Sequence, residues 1–538
     1  MPIFQSFFKR RGDAWLLLAV VLALIVMAPL AAVLFGVGRT GPEWEYVFTT
    51  LLGDYVKNTL ILIGLVSVLS VLMAIPAAWL VVTHEFLGRR VFEWALVLPL
   101  AFPTYVGAFV YLQVPESLIP ALIFVRQSYG MDAFLWCQTL LRYGLLAVVL
   151  ASVLFPYVYL TARASFANHS RVLIEVSQVL GRSSLATFFK VALPLSRPAI
   201  IAGLSLVVME VLNDYGAVNL LGVPTLADGV FRTWFGLEDR NSAIRLAGLM
   251  TTFVLVLLAC EYIQRGRRSY AETNTDTHPM ERLRLSRWGN IAAFMTCVIP
   301  LALGLLFPVW QLVRWVVFAL HESALSGFSE TLWRSLGVAA ASAMIIVAIG
   351  MILAFTARTS RSRTWRGCFR VATLGYAMPG AVVAVGIMVL TGLTDRLTAP
   401  AFLLSGSVAG VTFGYVTRFL AVSYQPITTG MERLCGKLDE ASQLLGRGQA
   451  ATLWHVIFPL MRRPLLAAGM LVFVDILKEL PLTMILRPAN FETLATKAFS
   501  LAKEGRIHES ALPSLCIVVA GIAVLLPLNR WLRGTAIS

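Results

Sequence analysis

Residues 175–198 read EVSQVLGRSSLATFFKVALPLSRP, and residues 440–464 read EASQLLGRGQAATLWHVIFPLMRRP. The two copies begin 265 residues apart. In each, a glutamate is followed six residues later by glycine and thirteen further on by proline: Glu175, Gly181 and Pro194, then Glu440, Gly446 and Pro459. A period of about half the 538-residue chain points to duplication of a whole domain and not to a short-repeat solenoid. The glycine weakens a helix, so it reads as a joint between two short helices, and the proline is expected to end the second before a new hydrophobic run. Arg171, Arg182, Lys190 and Arg197 in one copy, and Arg433, Lys437, Arg447, Arg462 and Arg463 in the other, belong in water or at an interface. Helical spacing puts Val172, Val176, Val179 and Leu180 on one face, as it does Leu438, Ala441, Leu444 and Leu445, and such a face suits docking into a partner's groove. A single copy would read as an ordinary surface helix; identical spacing in two favours docking.

The remainder of the chain is a membrane protein by composition, with 58% hydrophobic residues, 14% charged and a mean hydropathy of +0.78. The net charge of +15 does not indicate nucleic acid, because the basic residues punctuate long apolar runs instead of forming one patch. Six scattered cysteines with no Cys-x-x-Cys and no histidine at ligand spacing imply neither a disulfide framework nor a zinc site, and no cofactor is expected. The six histidines are isolated, which disfavours a membrane enzyme. The segment closest to a phosphate loop, GMERLCGKL at 430–438, has one residue too many before Gly-Lys and ends in Leu where Ser or Thr is needed, so any ATP must be bound by another subunit.

Apolar runs of roughly the 20 residues needed to cross a bilayer occur near 14–36, 57–83, 91–112, 143–162, 199–221 and 243–264, and again near 290–318, 332–357, 370–393, 400–424, 464–486 and 509–532. The first, preceded by Lys9, Arg10 and Arg11, is too long for a signal-peptide core and reads as a retained helix. The expected fold is therefore all-α, with two tandem homologous six-helix bundles and about 12 transmembrane helices. The weaker stretch 113–142 leaves room for a short external or re-entrant helix. The expected domains are 1–270 and 289–538, joined by a linker at 271–288, with the repeated loops at 170–198 and 434–464. Threading the chain puts Arg89, Arg90, Arg163, both loops, the linker, Arg358 to Arg370, Arg530 and Arg533 on one side, which the positive-inside rule makes the cytoplasm, together with both termini.

The fifth span of each half carries charge where charge is costly. Glu210 and Asp214 in LVVMEVLNDYGAV have counterparts 265 residues on, Asp475 and Glu479 in VFVDILKELPLT, and Gly216 matches Pro481 just beyond. By helical rise Glu210 lies roughly 17 Å into its span, near the middle of a hydrocarbon core of about 30 Å. Like charges at i and i+4 share a face. The functional reading is that these acids, with Asn213 and Lys478, line a central pathway that attracts a cation or is gated by ion pairs. In the structural alternative, Lys478 pairs with Asp475 or Glu479 and Glu210 bonds a neighbouring helix. Segments 225–243 and 493–511 resemble each other and read as short surface helices that dock a binding protein or cap the bundle.

Glu-x-x-x-x-x-Gly followed by Leu-Pro or Phe-Pro resembles the cytoplasmic coupling loop of binding-protein-dependent ABC importers, whose usual opening Glu-Ala-Ala is here Glu-Val-Ser and Glu-Ala-Ser. NDYGAV at 213, FRTWFGLEDR at 231, KELPLTMILRP at 478 and FETLATKAF at 491 are similar to the fused two-domain permeases of ferric-iron importers. The resemblance covers nearly the whole chain. It implies a multi-pass protein of the bacterial inner membrane, two copies of a separate ATPase on the two loops, a periplasmic substrate-binding protein, and alternating access with no reaction catalysed by this chain. Thiamine, phosphonate, polyamine and other solutes are carried by the same architecture. A secondary transporter would also show a duplicated bundle and midplane carboxylates, without needing matched docking loops.

Overall fold

The computed structural model describes residues 13–179, 184–265, 282–321, 327–359, 371–398, 404–434, 437–445 and 448–534, with Gly367 and Phe369. Helix dominates because apolar segments in lipid must satisfy their own backbone hydrogen bonds. The one sheet among the described residues is a parallel pairing of His84–Glu85 with Leu283–Arg284.

The long helices of the first half are α1 (Asp13–Gly36), α2 (Leu52–Thr83), α3 (Ile119–Val179), α4 (Leu193–Asn213) and α5 (Arg240–Arg265). In the second half α6 (Arg287–Leu301) runs through a π turn into α7 (Phe307–His321), followed by α8 (Phe328–Thr359), α9 (Gly380–Thr398), α10 (Val408–Glu432), α11 (Arg462–Leu477) and α12 (Ile507–Gly534). Among the described residues nine helices are long and apolar enough to cross a membrane, or eleven with two bent pairs. Those pairs are Arg89–Ala101 with Thr104–Pro115, bent by 89°, and Gln449–Leu460 with α11, bent by 77°. The twelfth expected span, near 400–424, forms α10. It is long enough, but Tyr415, Arg418 and Gln425 make it too polar to pass by composition, and its apolar positions are buried in the bundle. The stretch 113–142 is helical, with a turn at Gln113–Ser117 and the first part of α3, which kinks at Gly130 (φ 89°), a left-handed backbone that favours glycine.

The halves interlock. α1 lies against α9 of the second half, so tightly that a Cβ on Gly386 would fall 2.2 Å from the Pro29 carbonyl oxygen. Reciprocally, the π turn between α6 and α7 lies on α3, with Gly304 against the Ser152 carbonyl, and the Tyr111 hydroxyl donates to the Leu303 carbonyl at 2.8 Å.

Arg89 and Arg163 both pair with Glu93, at 3.6 and 3.5 Å. Arg358 donates to the carbonyls of Met431 and Leu434 at the carboxyl end of α10, where unpaired carbonyls favour a cation.

In the repeated segments a π turn precedes each proline, Phe188–Ala192 before Pro194 and Leu453–Ile457 before Pro459, again 265 residues apart. Pro194 does not end a helix as expected. The π turn runs straight into α4 and the helix continues through Pro194 to Asn213. In the second copy the break falls at Met461, two residues after Pro459. Gly181 and Gly446 lie outside the described residues, as do the side chains of Glu175 and Glu440, although both glutamates belong to helices. The Ser442 and Thr452 hydroxyls, 2.8 Å apart, tie the helix Lys437–Leu444 to the next turn. Leu444 and Leu445 are 89% and 81% exposed.

The segments after the broken spans are not surface helices. Leu226–Phe231 is buried throughout, and Leu494–Lys503 buries Leu494, Ala495, Ala498 and Phe499. Gly229 explains the depth of the first, since a Cβ there would meet the Tyr55 ring at 2.6 Å.

Candidate functional site

Four interrupted helices converge where the halves meet. In the first half a 3₁₀ turn at Leu98–Ala101 leads through extended Phe102 and Pro103 into Thr104–Tyr111, and in the second Thr373–Ala377 leads through Met378 and Pro379 into α9. A residue before proline disfavours the helical region, which accounts for both breaks. The other two interruptions follow α4 and α11, which stop at Asn213 and Leu477 before the chain restarts as Gly216–Leu220 and Pro481–Leu486.

The matched acids sit at these restarts. Asp214 Oδ1 accepts from the Ala217 and Val218 amides at 2.9 and 3.2 Å, while the Thr104 hydroxyl donates to Oδ2. Glu479 Oε1 accepts from the Leu482 amide at 3.0 Å. Each therefore satisfies orphan amides of a new helix. The second half differs in its remaining partner. Where Thr104 stands in the first half, the second has Gly380, and the space admits the Arg418 guanidinium, whose Nε lies 3.3 Å from Glu479 Oε2 with both side chains buried. Arg418 also donates to Asn213 Oδ1 at 3.1 Å, and the Gly380 amide donates to the same oxygen at 2.7 Å.

These groups surround a cavity of about 90 Å³. All six residues expected along a pathway, Glu210, Asn213, Asp214, Asp475, Lys478 and Glu479, line it. Lys478 Nζ pairs with Asp475 at 2.8 Å, and the Tyr376 hydroxyl lies 3.5 Å from Glu210 Oε1. Thr104, Tyr157, Tyr376 and Arg418 complete the site and were not anticipated. Of these only Arg418, a charge within an apolar run, carried a signal in the sequence. α4 ends at Asn213, so Glu210 lies in its last turn, just before the break.

Beyond the cavity, away from the repeated loops, opens a cleft of about 950 Å³ lined from both halves, with Asp228, Arg232, Arg487, Glu492 and Lys503 among its walls. Tyr215 faces both spaces. Its ring stacks on Phe231 at 3.6 Å and 12° and packs at 5.7 Å on Phe499, so aromatic rings from the two halves separate cleft from cavity. Among the described residues no group of three or more His, Cys, Asp or Glu is placed to hold a metal.

A duplicated bundle whose helices break around a charged cavity walled by both halves is the geometry of a transporter. Residues 66–262 match the binding-protein-dependent transport system inner membrane component. The chain is a transport permease. Its relatives span both halves. The Fe(3+)-transport system permease protein FbpB 2 of Haemophilus influenzae is 23% identical over 96% of this chain and 98% of its own length. The ferric transport system permease protein FbpB of Actinobacillus pleuropneumoniae is 22% identical over 99% of this chain and 80% of its own. The molybdenum transport system permease protein ModB of Haemophilus influenzae is 27% identical over 39% of this chain and 94% of its own length. The permease is thus a multi-pass inner-membrane component whose class works with a binding protein.

Proposed function

We propose that this permease carries ferric iron inward, from a periplasmic binding protein to the cytoplasm, with a separate pair of ATPase subunits driving it. The observation that carries the reading is the end-to-end likeness to an Fe(3+)-transport permease that itself contains both halves in one chain. Residues 1–270 and 289–538 are the two permease halves, and the segment 271–288 is a cytoplasmic linker. Both termini and both repeated loops face the cytoplasm. Glu175, Gly181 and Pro194, with Glu440, Gly446 and Pro459, couple the halves to the ATPases. The exposed Leu444 and Leu445 supply an apolar face that a partner's groove would bury. Closure of the ATPase pair draws the loops together, the halves rock about the charged cavity, and access alternates between the outer cleft and the cytoplasm. Glu210, Asn213, Asp214, Asp475, Lys478 and Glu479 form the wall of that pathway.

A second reading is favoured by the single-half relatives, a molybdenum and several sulfate permeases, together with Arg232, Arg487 and Lys503 in the cleft: an oxyanion importer of the same build. ATP-dependent uptake by proteoliposomes holding the full complex separates the two. Accumulation of radioactive iron with its binding protein supports the first; accumulation of molybdate or sulfate without iron overturns it.

A further inference from the structure

Glu210 and Asp475 occupy matching places in α4 and α11, one from each half, and both open on the cavity. Neither caps a helix as Asp214 and Glu479 do. Their surroundings supply a cation from within the chain: Lys478 Nζ lies 2.8 Å from Asp475 Oδ1 and in the field of Glu210 and Glu479 as well. Asn213 stands at the corresponding position of the first half, so only one ammonium enters the cavity. Four carboxylates against two cations, Arg418 and Lys478, leave the wall two negative charges from neutral, which attracts a further cation. Two phenolic oxygens stand nearby, the Tyr376 hydroxyl against Glu210 and the Tyr157 hydroxyl facing Tyr376. Carboxylate and phenol oxygens are hard donors.

We propose that Lys478 is a tethered stand-in for the transported ion: at rest its ammonium holds the cation position beside Asp475 and Glu210, and an incoming hard multivalent cation displaces it. An ordinary i,i+3 helix pair would neutralise one acid and do no more. This lysine lies in a cavity walled by both halves, paired with a carboxylate of one and in the field of a carboxylate of the other. The proposal rests on the reading of the cargo as ferric iron.

The test is a terbium(III) titration of the full-length chain in lipid nanodiscs, read by luminescence sensitised through Tyr157 and Tyr376. Lys478→Met should bind terbium at least tenfold more tightly than the wild type, Lys478→Arg should match the wild type, and Glu210→Gln combined with Lys478→Met should lose the gain. Lys478→Gln serves the same comparison if the methionine variant does not fold. Equal affinity in Lys478→Met and wild type, or a gain that survives Glu210→Gln, overturns the proposal. The titration involves neither ATPase nor iron, so enhanced terbium binding beside failed iron uptake rejects the ferric cargo alone, and the reverse pattern rejects the stand-in alone.

Discussion

The guanidinium of Arg418 crosses from the second half to the first and donates at 3.1 Å to the side-chain oxygen of Asn213. Its other partner, Glu479, is equally buried and belongs to the same half, so the ion pair fixes the guanidinium from which the bond across the halves is made. Removing one member of such a pair strands a buried charge, at a cost of roughly 3–5 kcal/mol. Arg418→Met should therefore lower the unfolding temperature of the purified chain sharply, and adding Glu479→Met should recover most of the loss. Additive losses in the double variant would refute the pairing.

Gly380 is where the two halves diverge. A Cβ there would lie 2.1 Å from Arg418 Nη1 and 2.8 Å from Glu479 Oε1, both pinned groups. Gly380→Ala should abolish uptake and destabilise the chain by about 1–3 kcal/mol, the usual cost of overpacking. Uptake at the wild-type rate would mean that the guanidinium has somewhere else to go.

Leu444 and Leu445 touch little in the chain itself. Replacing both with Asp should leave thermal stability within about 0.5 kcal/mol, as for surface substitutions generally, while reducing ATPase recovered with the permease at least tenfold. Reversing the charge at Glu175 or Glu440 should act in the same direction. Undiminished co-purification in all of these variants would remove the loops from the coupling scheme.

Tyr215→Ala removes the ring between cleft and cavity. The expected result is ATP hydrolysis that continues without the binding protein, measured on the reconstituted complex, together with ion leak through the resting permease. A tightly coupled, leak-free variant would place the barrier elsewhere.

Asp239, outside the membrane spans, tethers the segment after α1 to the start of α5. Burial alone would raise its carboxyl, but hydrogen bonds from the Ser242 hydroxyl and the Glu43, Ser242 and Asn241 amides outweigh burial and hold it below the ordinary carboxylate range. A depressed folded-state value means that the stabilisation is complete above the unfolded value of about 3.9 and is lost as pH falls through the folded one. Thermal unfolding at pH 7 should thus show Asp239→Asn less stable than wild type, with the gap closing below about pH 4. A constant gap would assign the loss to packing.

The 265-residue offset was legible because duplication preserves spacing even where residues drift, and it located both pairs of acids and both prolines. Span existence followed from apolar length alone. What stayed hidden depended on contacts between distant segments. Nothing local in NDYGAV says that Asp214 caps the helix after it, or that Thr104, 110 residues away, donates to the same carboxylate. Tyr157 and Tyr376 look like ordinary core aromatics until the fold turns them toward Glu210. Leu226–Phe231 read as a surface element because Asp228 and Arg232 are charged, yet their 2.5 Å pair lets the helix sink with the carboxylate fully buried. α10 was expected as an apolar crossing, whereas its arginine belongs to the site.

Covalent fusion has a consequence for the axis of the molecule. In a permease assembled from two identical chains, whatever stood at the Lys478 position would be present twice, giving two ammonium groups crowding one small chamber or none at all. Joining unequal copies end to end allows one position to hold lysine while its twin holds asparagine, so an odd charge can sit on a nearly twofold axis.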